Sequence, residues 1–132
     1  MKHIKRIFIG IICLPFLLIG FLILFELLGM AVNHFATYQQ TKELKSNLIE
    51  AVSDIEIIDV YSETGNTSGT GNHVDSLTII TFSSQQTLEE IQSRMKEYYE
   101  FNEWYCRIEE TEERYVFYLN TSAPFTDNIE GH

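Results

Sequence analysis

The sequence opens with a long run of apolar residues. From Ile7 to Phe25 there are 19 residues without a charge, and the run continues past Glu26 to Ala31. At about 1.5 Å of rise per residue, a helix over this run covers most of the roughly 30 Å hydrocarbon layer of a bilayer. The pattern therefore predicts a transmembrane anchor over residues 7–31, preceded by a short cytoplasmic tail at residues 1–6.

Two interpretations of this run compete, a retained anchor and a signal peptide that is removed after export. A signal peptide usually holds about 7 to 15 apolar residues, and the longer run here favours retention. Gly29, Met30 and Ala31 nevertheless form the small-any-small pattern of a cleavage site. We expect the anchor to be retained, and a mature chain beginning at Val32 is the alternative.

The basic residues around the run indicate its orientation. Lys2, Lys5 and Arg6 stand directly before it, whereas Lys42 and Lys45 follow only further along the chain. By the positive-inside rule, this arrangement predicts a protein that crosses the cell membrane once, with its N-terminus in the cytoplasm and its C-terminal domain outside.

Beyond the anchor, the chain alternates between helical and strand patterns. Residues 33–53 have apolar positions at helical spacing and no Gly or Pro, so this helix is expected to be nearly continuous with the anchor. A second helix is predicted to begin after Thr87, which can form a capping box with Glu90, and to end near Phe101. Apolar alternation and β-branched residues predict strands at residues 54–62, 77–83, 104–109 and 115–119, the last two joined by a turn at 111–113.

The order of these elements predicts an α+β domain of two layers over residues 32–122. Helices of this length cannot bury their apolar stripes alone, so we expect both helices on one face of a four-stranded antiparallel sheet. Residues 123–132 are predicted to be a flexible tail. The positions expected to point toward the helices are Trp104, Cys106, Ile108, Tyr115, Phe117 and Leu119.

The charge of the chain is divided unevenly. Of its nine basic and nineteen acidic residues, three basic and one acidic residue lie in residues 1–31. The remaining residues therefore hold six basic and eighteen acidic side chains, a net charge of −12. A domain this acidic repels phosphate backbones, so the composition argues against nucleic-acid binding.

A loop rich in Gly, Asn, Thr and Ser separates the first two strands, at residues 62–76. A simple hairpin needs only 2 to 5 residues, and irregular connections beyond about 12 are usually functional or disordered. Glycines in left-handed conformations let backbone amides converge, and the polar side chains can bond the loop's own backbone. We predict binding through these amides and hydroxyls, with a self-satisfied structural loop as the alternative. The candidate residues are Thr64, Gly65, Asn66, Thr67, Gly69, Gly71 and Asn72, with His73 and Asp75 at the rim.

Residues 61–67 of this region resemble the phosphate-binding loop of the flavodoxins. In that family a strand leads into Ser or Thr, any residue, Thr, Gly, Asn and Thr, and Ser62 to Thr67 is similar to this motif. The resemblance implies hydroxyls and amides around the phosphate of flavin mononucleotide at the start of a helix. Ser68 to Asn72 is poorly suited to begin a helix, and the 65 residues after Thr67 are too few for a doubly wound parallel sheet. We therefore predict no cofactor.

Other reactive residues do not form a motif. Cys106 in a strand pattern is typical of a small buried hydrophobe, and a nucleophilic cysteine would need an activating base. His73 and Asp75 would need a third ligand to hold a metal. The glutamates of the predicted hairpin turn lack the spacing of a calcium loop. The sequence predicts no catalytic residue and no metal site.

Two tyrosines are further binding candidates. If Cys106 and Phe117 point at the helices, Tyr105 and Tyr118 lie on the opposite, open face of the sheet. Exposed tyrosines suit contact with a partner or a sugar, and cross-strand stabilisation of the hairpin is the alternative.

These observations predict a membrane-anchored extracytoplasmic domain that acts as a non-catalytic binding or accessory module of the bacterial cell envelope. Its expected partner is another envelope protein or an envelope component. An envelope enzyme that acts on cell-wall material through carboxylates is one alternative. A small accessory subunit that acts through its membrane helix is another, supported by Glu26 and Pro15 within the apolar run.

Overall fold

The computed structural model describes residues 2–132, with side chains described from Gly10 onward. Met1 and the side chains of residues 2–9 lie outside this part, and residues 2–6 of the predicted tail form the start of the first helix. The described chain forms helix α1 (Lys2–Ala51), strands β1 (Glu56–Gly65) and β2 (Asp75–Ser83), helix α2 (Leu88–Met95), strands β3 (Cys106–Thr111) and β4 (Arg114–Ser122), and a short 3-10 helix (Ile129–Gly131).

Helix α1 joins the predicted anchor and the first helix of the domain without a break. Pro15 lies inside the helix and does not end it. The segment Gly10–Ala51 is long and apolar enough to cross a membrane, and none of its most apolar stretch is buried against the rest of the protein. The apolar half of α1 therefore does not serve as a core helix of the domain.

The four strands form one antiparallel sheet in the order β1–β2–β4–β3. The pairing of β1 with β2 runs from Glu56 opposite Ser83 to Gly65 opposite Asp75, with a bulge between Ile57 and Asp59. β4 lies between β2 and β3, and a tight turn joins β3 to β4. The predicted order of helices and strands is confirmed, and so is the antiparallel sheet.

Helix α2 has the predicted start and an earlier end. Thr87 and Glu90 form the capping box, in which the Thr87 side chain accepts from the Glu90 amide and the Glu90 carboxylate accepts from the Thr87 amide. The helix stops at Met95, so the predicted end near Phe101 is wrong. Tyr99 and Phe101 instead pack on Phe117, with ring centroids 5.6 and 5.7 Å away, and the chain must leave the helix to place both rings there.

The domain has two ends, defined by the course of α1. At the near end α1 enters the domain beside the strand termini Gly65, Asp75 and Ser122, and at the far end α1 stops at Ala51. Toward the far end, buried apolar side chains from both helices and from three strands form one cluster. Its members are Leu44, Leu48, Ala51, Val52, Ile80, Phe82, Ile91, Met95, Cys106, Ile108, Tyr115, Phe117 and Leu119.

Five of the six predicted inward positions on β3 and β4 belong to this cluster, and the sixth, Trp104, does not. Trp104 is 76% exposed. It lies in a turn before β3, because the Asn102 Oδ1 atom accepts hydrogen bonds from the amides of Trp104 and Tyr105 at 3.0 and 2.6 Å. The prediction extended the strand alternation two residues too early.

At the near end the same face of α1 is polar. Thr37 Oγ1 donates to Ser76 Oγ at 2.9 Å, and Thr41 Oγ1 lies 2.9 Å from Thr78 Oγ1. Gln40 Nε2 donates to the Ser76 carbonyl at 2.8 Å. Hydrogen bonds between side chains therefore join α1 to β2 here, where leucines do so toward the far end.

The C-terminal segment, residues 123–132, folds back along α1 and is not a free tail. We call it the C-terminal strap. The Asn33 side chain bonds both the amide and the carbonyl of Phe125, each at 2.9 Å. The Glu26 carboxylate accepts from Asn128 Nδ2 at 2.8 Å and from the Ile129 amide at 3.0 Å. The strap thus reaches the last apolar turns of the helix.

Two glycines allow the strap to approach its neighbours. A Cβ atom on Gly29 would lie 2.7 Å from Asn128 Nδ2, and one on Gly131 would lie 2.9 Å from backbone atoms of His73. The strap also bonds the loop after β1, since the Val74 amide donates to the Thr126 carbonyl at 2.9 Å. It therefore ties that loop to α1.

Candidate functional site

The predicted binding loop is shorter than the sequence indicated, because both flanking strands continue into it. Thr64 and Gly65 end β1 and Asp75 begins β2, so the irregular part is residues 66–74. Gly69 and Gly71 have φ values of 68° and 62°, the left-handed conformation expected of them.

Hydrogen bonds within the loop fix its shape. The Asp75 carboxylate is 4% exposed, and its Oδ2 accepts from the amide and the hydroxyl of Ser68 at 3.0 and 2.6 Å. Asn66 Nδ2 donates to the Gly71 carbonyl at 2.5 Å. Thr67 Oγ1 donates to Asn120 Oδ1 at 3.0 Å. Much of the loop's hydrogen-bonding capacity is therefore used to build the loop.

Other candidate residues lie at the edge of the loop or away from it. The Thr64 hydroxyl donates to Thr37 Oγ1 at 2.7 Å, on the helix side of the sheet. His73 Nε2 lies 3.0 Å from Ser122 Oγ and 3.4 Å from Asp75 Oδ1. Thr64 is thus part of the polar packing under α1, while His73 lies beside Ser122 and Asp75 is buried under the loop.

A short turn before β3 presents two aromatic rings beside the loop. The Asn102 side chain holds this turn because its Oδ1 accepts hydrogen bonds from two backbone amides of the turn. The backbone amide of Asn120 on β4 also donates to the Tyr105 carbonyl, at 2.8 Å. Trp104 and Tyr105 remain 76% and 52% exposed. The backbone beneath the rings is fixed, and their faces are open to solvent.

The loop and this turn enclose one continuous groove, which we call the loop groove. It consists of two adjoining concavities of about 180 and 500 Å³, both lined by Ser68, Thr70, Tyr105 and Asn120. The smaller part extends toward His73 and Asp75, and the larger part toward Trp104, Arg107 and Tyr118. Of the predicted candidates, five line this groove: Thr67, His73, Asp75, Tyr105 and Tyr118. The other six do not line it: Thr64, Gly65, Asn66, Gly69, Gly71 and Asn72.

Tyr118 is less available in this groove than Tyr105. The Arg107 guanidinium lies 4.0 Å from the centroid of the Tyr118 ring and covers one face. Arg107 Nε also bonds Glu109 Oε1 at 2.5 Å. The positive charge of the groove is thus paired with a carboxylate, and Tyr105 and Trp104 supply the free aromatic surface.

Asn120 gives the groove a polar floor. The residue is 3% exposed, and its Oδ1 accepts from Thr67. Its Nδ2 makes no hydrogen bond to another residue in the described part of the chain and is not one of the fully buried atoms there that lack a partner, so it is open to the groove. A donor that is open to the groove can bond water or a ligand that brings an acceptor.

The described residues contain no arrangement that indicates catalysis by a thiol or a metal. Burial raises the pKa of the Cys106 thiol to about 11, so the thiol stays protonated near neutral pH. Among residues 10–132, no group of three or more His, Cys, Asp or Glu side chains is placed to hold a metal ion.

Comparisons with known proteins give no relative. No protein-family model matches the chain, and neither a curated protein nor a solved structure shows a significant match. The geometry of the site is therefore the basis for a functional assignment.

Sequence reasoning missed three parts of this region: Trp104, Asn120 and the C-terminal strap. Trp104 was assigned to the core because it continues the alternation of β3. Asn120 follows Leu119 at the end of a strand, and no sequence pattern marks it as buried. The strap has one aromatic residue, Phe125, and its other contacts are single hydrogen bonds of backbone groups and of the Asn128 and Glu130 side chains, which leave no hydrophobic period to detect.

Proposed function

We propose that this protein is a membrane-anchored binding module of the bacterial cell envelope. In this proposal α1 crosses the membrane once with the N-terminus in the cytoplasm, and the α+β domain stands outside. The domain is non-catalytic and binds another envelope protein or an envelope component through the loop groove. The basic residues before the apolar run support the orientation.

The strap is the observation that carries the retained anchor. Its partners Phe25, Glu26 and Gly29 all precede the possible cleavage site after Ala31. Cleavage would leave the strap without these contacts and expose the Phe125 ring, which packs 5.9 Å from Phe25. A domain that uses the end of the apolar helix as a packing surface supports an anchor that stays attached.

The core supports an arrangement in which both helices cover the same face of the sheet. Leu44 of α1 and Ile91 of α2 lie in one buried cluster with Ile80 and Phe117. Side chains that alternate with these strand residues then point to the other face, which includes Tyr118. On this arrangement the groove lies on the uncovered face and is accessible to a partner.

The same contacts argue against a membrane helix that acts alone. Glu26 and Pro15 are the two residues that support a role inside the bilayer, and two hydrogen bonds from the strap engage the Glu26 carboxylate. A carboxylate that anchors the strap needs no proton pathway to explain its place in the helix. Enzymatic attack on cell-wall material remains the alternative function, since acidic side chains are plentiful.

The topology is tested on intact cells. External protease is expected to remove the domain while an N-terminal epitope tag stays protected until the cells are permeabilised. Intact mass measurement is expected to give the full-length chain of 15.4 kDa plus the tag. A mature protein that begins at Val32 would contradict the retained anchor.

The binding site is tested by complementation of a deletion strain. Trp104→Ala combined with Tyr105→Ser removes the free aromatic surface without touching the core, so the variant should fold, reach the membrane and fail to complement. Tyr98→Ser is the matched control, because Tyr98 is also exposed, at 40%, and lies outside the groove. Full complementation by the double variant would exclude the groove as the functional site.

A further inference from the structure

We propose that the loop groove binds a neutral oligosaccharide of the cell envelope. The inference rests on the proposed binding function and names the chemical class of the ligand. Three features of the groove point to it: free aromatic faces, an unused amide donor with hydroxyls around it, and the absence of an unpaired positive charge among the lining residues.

Two aromatic rings of the groove have faces open to solvent. Trp104 and Tyr105 expose 76% and 52% of their surface on a turn whose backbone is held by Asn102. A ring with an apolar face and a polar edge suits the C–H face of a pyranose, whose rim carries hydroxyl groups. Because the backbone of this turn is already fixed, ligand binding does not have to order it, and less conformational entropy is lost.

The polar groups of the groove complement hydroxyl-bearing ligands. Asn120 Nδ2 is an unused donor on a residue that is 3% exposed. Ser68 Oγ gives its proton to Asp75, so Thr70 Oγ1, 2.9 Å away, donates to Ser68 Oγ and keeps lone pairs that can accept from a ligand. A sugar hydroxyl or acetamido carbonyl could accept a hydrogen bond from Asn120 Nδ2 in place of water.

Charge excludes the most common anionic ligands. Arg107 is the only Lys or Arg that lines the described groove, and Glu109 holds its guanidinium at 2.5 Å. Glu103 at the rim and the net charge of −12 beyond residue 31 repel phosphate and carboxylate groups. A neutral saccharide avoids this repulsion and uses the aromatic and hydroxyl surface.

The chain contains a single tryptophan, so its fluorescence reports directly on the groove. The full-length protein in detergent micelles is titrated with two neutral probes at millimolar concentrations, a β-1,4-linked tetramer of N-acetylglucosamine and cellotetraose. We expect a saturable change in Trp104 emission with at least one of them. Tyr105→Ser should weaken that affinity by about tenfold, since one ring contact is lost, while Tyr98→Ser should leave it unchanged.

The outcomes separate this inference from the proposed function. No change in Trp104 emission with either saccharide, measured on a protein whose circular dichroism shows it folded, overturns the oligosaccharide assignment. A response to a tetralysine peptide without a response to the saccharides also overturns it, in favour of a basic peptide. In either case, failure of the Trp104→Ala/Tyr105→Ser variant to complement would leave the binding function standing without the sugar.

Discussion

The two ends of the domain are built on the same helix face by different interactions. Toward the far end, Leu44 and Leu48 of α1 are fully buried among apolar side chains. At the near end, Asn33 and Thr37 occupy the same face and are 0% and 3% exposed, with hydrogen bonds to the strap and to β2. Apolar packing is non-directional and tolerant, whereas buried polar groups require their partners in place.

On the proposed topology, this difference indicates where the membrane-spanning part of the unbroken helix would end. No turn, glycine kink or cap separates the apolar half of α1 from the domain. Polar side chains from Asn33 onward, and Glu26 with its bonds to the strap, are costly to place in hydrocarbon. In this proposal the polar near end sets the boundary between the membrane-spanning part of α1 and the domain.

The largest effect is expected from the far end. Phe117→Ala removes a fully buried ring that contacts Tyr99 and Phe101, and should reduce the free energy of unfolding of the whole domain by about 3–5 kcal/mol. Denaturant unfolding of the full chain in micelles measures it. If the loss stayed below about 1 kcal/mol, the far end would not be the main source of stability.

A smaller and local effect is expected from the near end. Asn33→Ala leaves the amide and the carbonyl of Phe125 without their partner, a penalty of about 1–3 kcal/mol that should fall on the strap. Limited proteolysis should then cut within residues 123–132 and leave the core intact. Gln39→Ala, an exposed polar residue on the same helix, is the control. Equal cleavage in both variants would show that Asn33 does not hold the strap.

Loss of the helix cap at the far end should have a still smaller effect, which falls on the whole domain. Thr87→Ala removes the side chain that accepts from the Glu90 amide, and is expected to destabilise the domain by about 1 kcal/mol. Thermal unfolding monitored by circular dichroism measures the change. A shift in strap proteolysis without a shift in the melting temperature would place α2 with the near end instead.

The smallest effect is expected on the stability of the domain at low pH. The Gln85 amide, 2.6 Å away, holds the pKa of Asp54 below its ordinary value of 3.8. The stability from this charge is present above pH 3.8 and is lost as the pH falls through the lower pKa of the folded state. In the Asp54→Asn variant, the free energy of unfolding should therefore fall less steeply as the pH is lowered. An unchanged dependence on pH would show that the charge of Asp54 adds nothing to stability.

The sequence predicted the far end better than the near end. Leu44, Leu48 and the alternation on β3 and β4 belong to hydrophobic periods, and these recovered the helices, the strands and most of the core. The near end depends on single hydrogen bonds between distant residues, such as Asn33 with Phe125, and these have no period. The loop could be predicted because its composition is unusual. Tyr105 and Tyr118 could be predicted because strand alternation places them on the face opposite the core.

Native-state hydrogen exchange tests most directly whether the two ends are separate units. We predict that the amides of Val74 and Phe125 exchange through a local opening of lower free energy, which Asn33→Ala lowers further. The amides around Ile80 and Phe117 in the central strands should exchange only on global unfolding and should not respond to that variant. If all four regions exchanged with one free energy and shifted together, the domain would be a single cooperative unit and the distinction between its ends would be wrong.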